Sequence, residues 1–119
     1  MGLLQKKIFL SGAISGHEKE AADYFARAEK IVLERFPLAQ VFNPANLPAN
    51  PPESPAWRRM MTICAARIMG WATDIVYIRN EYYEGSKGAR IERALAQERG
   101  LGEYVLRGEL LSELPKEEA

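Results

Sequence analysis

Short runs of apolar residues alternate along the chain with longer segments in which apolar residues recur every three or four positions. Four runs are typical of strands, at positions 8–11, 40–43, 73–78 and 104–106. Three longer segments, at positions 16–35, 55–70 and 86–99, have the spacing of amphipathic helices. Strands that alternate with helices build a parallel sheet with right-handed crossovers. The pattern therefore predicts an α/β domain in three layers, with a parallel sheet of about four strands.

Residues at the ends of the predicted helices agree with this assignment. Ser15 followed by Glu18 fits a capping box at the start of the first helix. Ser54 before Pro55 is a typical start for the second helix, and Gly100 is placed to end the third. An extended loop is expected between the second strand and the second helix, because that segment holds prolines at positions 44, 48, 51, 52 and 55.

Length and composition limit the classes of protein that fit. The 119 residues suffice for one domain, which we place at 1–107, followed by a charged C-terminal tail at 108–119. Because 16 basic residues balance 16 acidic ones, no DNA or RNA partner is expected. The single cysteine, Cys64, excludes an intrachain disulfide, and with one histidine it offers no recognisable metal site. The sequence has no long apolar run, so we expect a cytoplasmic protein without membrane contact.

Topology indicates which loops bind a ligand. In an open parallel sheet, ligands bind beyond the carboxyl ends of the strands, which here are followed by residues 12–17, 43–54 and 79–88. The first loop contains Gly12 and Gly16 in a Gly-x-x-x-Gly arrangement, which lets backbone N–H groups approach an anion at a helix N-terminus. A tight turn that needs small residues is the alternative explanation. Gly85-Ser-Lys-Gly88 lacks the order of a Walker A loop.

Glu92 is the most informative residue of the third predicted helix. The inward stripe of this helix consists of Ala89, Glu92, Leu95 and Ala96, so a carboxylate stands where an apolar residue is expected. A buried carboxylate is normally hydrogen-bonded, protonated or functional. The alternative is a rotated stripe that leaves Glu92 at the surface, paired with Arg93 or Arg99, and helical phase alone does not separate the two.

Several segments together resemble the nucleoside 2-deoxyribosyltransferase-like superfamily. They are Phe9-Leu-Ser-Gly-Ala-Ile-Ser-Gly16, Val41-Phe-Asn-Pro44, Trp57, Thr73-Asp-Ile-Val76, and Ser86-Lys-Gly-Ala-Arg-Ile-Glu92 with Ala94 and Ala96. Within the superfamily the chain is most similar to a small bacterial and phage domain family of unknown function, marked by Ser-x-Gly-Ala-x-x-Glu. The spacing of Ser86, Gly88 and Glu92 is also similar to that of the deoxynucleoside 5′-monophosphate N-glycosidases. The resemblance implies a flavodoxin-like, Rossmann-like fold.

The resemblance also implies roles for individual residues. Glu92 matches the nucleophile that attacks C1′ of the deoxyribose and forms a covalent glycosyl-enzyme. The residues that would contact the sugar or its 5′ group are Gly12, Ala13, Ser15 and Gly16. Ser86 and Gly88 are candidates for binding a 5′-phosphate, and Tyr82 or Tyr83 for stacking on the base. No cofactor is implied, and relatives of this size complete their sites across a subunit interface, which implies a homodimer or larger homo-oligomer.

One departure from the superfamily pattern concerns the second helix. Relatives usually carry an aspartate there, whereas this chain has no acidic residue between Pro55 and Thr73, and the matching positions are Cys64 or Ala66. Asp74 matches a different family aspartate, more often a structural one, and is itself a possible acid. Another acid such as Glu84 or Glu81 could replace the missing one, a partner subunit could supply it, or the domain binds without efficient turnover.

Two functions from different classes follow. The first is cleavage or transfer of the N-glycosidic bond of a 2′-deoxynucleoside or its 5′-monophosphate, with Glu92 as nucleophile. The second is a non-catalytic nucleotide-binding module with a regulatory or phage-related role, which the missing aspartate favours. A purely structural oligomer unit has less support, because it leaves the small-residue loops at the strand ends unexplained. His17 is expected as a solvated residue at the start of the first helix or as a phosphate contact, and Cys64 as a core residue.

Overall fold

The computed structural model describes residues 5–47 and 54–115, which form three helices and one five-stranded sheet. The elements are β1 (Lys7–Ser11), α1 (Glu18–Arg35), β2 (Gln40–Phe42), α2 (Pro55–Gly70), β3 (Asp74–Ile78), α3 (Lys87–Arg99), β4 (Gly102–Arg107) and β5 (Leu110–Leu114). Short 3₁₀ turns lie at Pro44–Asn46 and Tyr83–Gly85. The predicted flavodoxin-like α/β class is confirmed, and the seven predicted elements are present in the predicted order.

The order of the strands in the sheet is β2-β1-β3-β4-β5, and the first four are parallel. The chain runs from β1 outward to β2 on one side and then crosses back through α2 to β3 on the other side. The order therefore reverses at β1, which pairs with both β2 and β3. At such a reversal the loops that follow the two neighbouring strands diverge and leave a crevice at their carboxyl ends.

The prediction of a charged tail after residue 107 is wrong for its first part. Leu110–Leu114 forms β5, which pairs antiparallel with β4 and brings the sheet to five strands. Leu111 is buried in the same apolar cluster as the inward face of α1, so this strand closes the edge of the core. A short hairpin needs no helical crossover, which is why a stretch too short for another strand-helix unit still adds a strand. Residues 116–119 lie outside the described part of the chain.

The sheet separates two apolar clusters. On β1, Phe9 faces the cluster that includes α2 and α3, whereas Ile8 and Leu10 face the cluster that includes α1. β3 follows the same alternation, with Tyr77 on the α2 and α3 side and Val76 on the α1 side. Successive side chains of a strand point to opposite faces, so a strand covered on both faces is apolar throughout.

The helix ends confirm the predicted start at Ser54 and the predicted end at Gly100, which has the left-handed conformation, and they add a cap at Ser86. Ser54 and Ser86 are N-caps, and their side chains accept hydrogen bonds from the backbone N–H groups of Trp57 and Ala89, both at 3.1 Å. The capping box predicted for Ser15 is wrong, because α1 begins after His17, which makes no side-chain cap. The Glu18 carboxylate instead accepts the N–H of Gly16 at 3.0 Å. Residues 48–53 of the expected proline-rich loop lie outside the described residues.

Asp74 stabilises the amino-terminal edge of the sheet. Its carboxylate lies 3.4 Å from Lys6 Nζ and accepts a 2.6 Å hydrogen bond from the Thr73 hydroxyl. The backbone of Gly102, its partner in β4, passes directly beneath this carboxylate. A Cβ at position 102 would overlap Asp74 Oδ2, so only glycine leaves the carboxylate in place.

We predict that Gly102→Ala destabilises the protein by about 1–2 kcal/mol, because the added methyl group displaces the Asp74 carboxylate from Lys6 and Thr73. The measurement is the free energy of unfolding in urea. Gly70→Ala is the matched control, since a Cβ there meets no atom within 4 Å, and it should leave stability unchanged or slightly raised. Equal stability of the two variants would contradict this role of Gly102.

Candidate active site

A cavity of about 100 Å³ lies where the first loop, α2 and the start of α3 meet. From the first loop it is lined by Gly12, Ile14 and Ser15, from α2 by Trp57, Met60, Met61 and Cys64, and from the α3 end by Gly85, Ser86, Lys87, Gly88 and Glu92. This is the carboxyl end of β1, next to the reversal of strand order. The position agrees with the loops that topology indicates for ligand binding.

Glu92 is the one acidic residue among the described residues that line this cavity. It is 5% exposed and lies on the buried stripe of α3 with Ala89 and Ala96, so the inward orientation is correct and the surface pairing with Arg93 or Arg99 is not. The Ser11 hydroxyl donates a 2.7 Å hydrogen bond to Glu92 Oε1, and the Cys64 thiol lies beside the same carboxyl group and stabilises its charged form.

Burial raises the pKa of Glu92 to about 8, because loss of water disfavours the charged form. The hydrogen bonds from Ser11 and Cys64 lower this pKa in part, since they stabilise the carboxylate. Burial also raises the pKa of the Cys64 thiol, and the neighbouring carboxylate raises it further. The thiol therefore stays protonated and donates, and the titrating group of the pair is Glu92.

The first loop is shaped by close packing against α1. A Cβ at Gly12 would lie 3.1 Å from the Phe25 ring and 3.3 Å from Ile78 Cβ, so glycine keeps the loop against the core. The Tyr24 hydroxyl donates to the carbonyl oxygen of Ala13 and holds the next residue of the loop. Gly16 has a φ of 85° and its N–H is directed to Glu18, away from the cavity. Gly12 and Ser15 therefore reach the cavity, and Gly16 does not.

A second recess adjoins the cavity and shares Ser15, Gly85 and Ser86 with it. Its other lining residues are Ala13, His17, Glu81 and Tyr82. The rings of His17 and Tyr82 are stacked with their centroids 3.9 Å apart. Tyr82 thus stands at the rim of the site, whereas Tyr83 is 3% exposed and packs in the core against Tyr77. His17 is a stacking partner rather than only a solvated residue.

The start of α3 combines a helix N-terminus with a basic side chain. Ser86 caps the helix with its side chain, and Lys87 and Gly88 follow it along the cavity wall. A Cβ at Gly88 would lie 3.3 Å from Met61 Sδ, so glycine allows α2 and α3 to approach here. Exposed N–H groups and a positive charge at one place favour an anion.

The three predicted acids lie outside the main cavity. Asp74 begins β3 and lies at the opposite end of the strand, where it contacts Lys6 and Thr73. Glu84 is exposed and pairs with Arg79. Glu81 reaches the second recess but does not line the main cavity. The expected replacement for the missing aspartate is therefore not found among the described residues that line the cavity.

Ser11 and Lys87 also belong to the site, although the sequence pattern assigns neither of them a role, and Cys64, expected as a core residue, lies beside the Glu92 carboxyl group. The alternation along β1 contains a signal for Ser11, because it places this residue on the same face as Phe9, toward α2 and α3.

Among the described residues, no three His, Cys, Asp or Glu side chains cluster closely enough to bind a metal ion. No helix in residues 5–47 and 54–115 has the length and apolar content of a membrane span.

Comparison with known proteins places the chain in a family. Residues 6–104 match the model of a domain of unknown function, DUF4406. The chain belongs to this family. No curated protein matches it. The solved structure of a 2-deoxyribosyltransferase from Bacillus psychrosaccharolyticus is similar, with a TM-score of 0.62 and 22% identity over 87% of this chain and 75% of that one. This DUF4406 domain and the transferase share a fold, which confirms the superfamily resemblance at the level of the fold.

The raised pKa of Glu92 predicts how the stability of this DUF4406 domain changes with pH. A glutamate normally titrates near 4.5, whereas Glu92 titrates near 8 in the folded protein, so between these values the folded state holds the proton more tightly. The free energy of unfolding should therefore fall as pH rises through this window, by up to roughly 1.4 kcal/mol per pH unit from this group. Urea unfolding of the wild type and of Glu92→Gln at several pH values in this range measures how the free energy of unfolding depends on pH. Parallel stability profiles would contradict the prediction.

Proposed function

We propose that the protein cleaves or transfers the N-glycosidic bond of a 2′-deoxynucleoside or its 5′-monophosphate, with Glu92 as the nucleophile. The observation that carries the proposal is a buried carboxyl group, hydrogen-bonded by Ser11 and flanked by Cys64, at a cavity beside the N-terminus of α3. The shared fold supports it, because the similar solved structure is that of a 2-deoxyribosyltransferase. The substrate class is carried over from that protein and from the resemblance of the motifs.

The proposed reaction proceeds in two displacements. The Glu92 carboxylate forms a bond to C1′ while the C1′–N bond breaks, and the base leaves with the bonding electron pair and takes a proton from water. A carboxylate suits this step because it stabilises an oxocarbenium-like transition state and then accepts the sugar. Water then attacks C1′ while the ester bond between C1′ and the Glu92 oxygen breaks, the proton of the water passes to solvent, and the free carboxylate and deoxyribose are released. A second base in place of water gives transfer instead.

The cavity and its adjoining recess can be assigned to the parts of such a substrate. The deoxyribose would lie against Glu92, Gly12 and Ser15, with Ala13 nearby in the recess. A 5′-phosphate would bind at the start of α3, where the N-terminal N–H groups and Lys87 favour an anion.

The base would extend toward the stacked rings of His17 and Tyr82, because aromatic faces bind other aromatic rings in offset stacks. These assignments retain Ser86 and Gly88 as binding residues and replace Gly16 with His17. A homo-oligomer, which the resemblance implies, stays a prediction. An acid supplied by a neighbouring copy would then protonate the leaving base in place of water.

A second candidate is a nucleotide-binding module without efficient turnover. The described lining of the cavity offers no second acid to protonate the leaving base, and burial keeps Glu92 protonated in half of the molecules at a pH of about 8. Both features slow the proposed chemistry and leave nucleotide binding intact. The two candidates make different predictions for the release of free base.

We predict that the wild-type protein releases free base from at least one member of a panel of 2′-deoxynucleosides and their 5′-monophosphates. Chromatography of the reaction mixture measures the released base. The rate should rise with pH as Glu92 ionises near 8. Glu92→Gln should lower the rate by a factor on the order of 10³ or more, because it removes the nucleophile and keeps the shape of the side chain.

Glu98→Gln is the matched control, since Glu98 lies on the exposed side of the same helix, and its rate should equal that of the wild type. Addition of a second free base distinguishes transfer from hydrolysis by the appearance of a new nucleoside. Absence of base release from every substrate, together with a raised melting temperature in a nucleotide, would favour the binding module. Equal rates for Glu92→Gln and the wild type would exclude Glu92 as nucleophile.

A further inference from the structure

Two uncharged side chains from different elements meet at the Glu92 carboxyl group. Ser11, the last residue of β1, is fully buried and donates from Oγ to Oε1 at 2.7 Å. Cys64, from the middle of α2, is 1% exposed, lines the cavity and lies beside the same carboxyl group, whose charged form it stabilises. Polar groups are costly in an apolar interior unless they are hydrogen-bonded, so each of the three side chains depends on the others.

The groups that face Glu92 come from every element packed around it. They are Ser11 from β1, Cys64 from α2, Tyr83 from the turn before α3, and Lys87 on the same cavity wall. Among the described residues, no basic side chain contributes to the titration of Glu92, which is governed by burial and by the Ser11 and Cys64 hydrogen bonds. Support for the carboxylate thus comes from neutral donors rather than from an ion pair.

We propose that Ser11 and Cys64 are positioning residues, which fix the Glu92 carboxylate at the cavity and supply the hydrogen bonds that allow it to carry a charge there. The inference rests on the proposed function in one respect, namely that Glu92 is the nucleophile. A thiol at position 64 donates a hydrogen bond, whereas an aspartate at the same place would repel the carboxylate. Neutral donors also stabilise a carboxylate less than a cation does, and so leave it more basic and more nucleophilic.

The test is a titration of Glu92 in the full-length protein by NMR of ¹³C-labelled glutamate carboxyl groups, with the Glu92 signal assigned through Glu92→Gln. The wild-type midpoint is expected near pH 8. Ser11→Ala and Cys64→Ala should each raise the midpoint by about one pH unit, because each removes a donor that stabilises the charged form. Cys64→Ser keeps a donor of similar size and should return the midpoint close to that of the wild type.

A purely structural role predicts a different result. If Ser11 and Cys64 served only packing, both alanine variants would lose stability without a change in the midpoint, and serine would not differ from alanine at position 64. Either finding would overturn the proposal. The two substitutions lie on different elements, so if one variant fails to fold, the titration of the other still tests the proposal.

The titration does not depend on catalysis, which keeps this proposal distinct from the proposed function. A shifted midpoint in the alanine variants, with no base released by the wild type, would support the positioning role and reject the enzyme. Base release by the wild type with unshifted midpoints would reject the positioning role and support the enzyme. If the wild type releases base and the alanine variants shift the midpoint, the pH at half-maximal rate should move by the same amount as the NMR midpoint.

Discussion

The burial of the Glu92 carboxyl group is the constraint on which the arrangement of the site depends. A charge removed from water without compensation costs several kcal/mol, so the surrounding structure must either supply hydrogen bonds or leave the group protonated. This protein does both, with a hydroxyl from β1, a thiol from α2 and a pKa of about 8. Because these donors come from separate elements, the sheet and both helices must be assembled before the carboxyl group is stabilised.

Strand order and close packing at two glycines bring these elements together. Strand order reverses at β1, which leaves a crevice between the loop after β1 and the start of α3. Gly12 lets the first loop pack against Phe25, and Gly88 lets α3 approach Met61 of α2. The cavity is the space that remains between these close contacts, and Glu92 extends to it from one turn inside α3.

Much of this could be predicted from the sequence because it rests on local patterns. The alternation of strands and helices, the helix ends at Ser54 and Gly100, and the inward face of Glu92 all follow from periodicity and short-range chemistry. The sequence pattern does not predict β5, because this antiparallel strand needs only a tight turn and one buried residue, Leu111.

Other features depend on contacts between residues distant in the chain, which periodicity does not contain. Ser11 and Glu92 are 81 residues apart, and their hydrogen bond requires the packing of α3 across the end of β1. The contact of Cys64 with Glu92 likewise depends on how α2 and α3 pack together. Asp74 was a reasonable acid by resemblance, yet the direction of β3 places it at the end of the sheet away from the cavity.

The most direct test of the central claim is detection of the covalent intermediate. The protein is mixed with a 2′-deoxynucleoside, quenched in acid within one turnover, digested and analysed by mass spectrometry. The account predicts a peptide that carries one deoxyribosyl group as an ester on Glu92, absent from the Glu92→Gln variant. Release of base with the sugar attached to another residue, or with Glu92→Gln as active as the wild type, would contradict it.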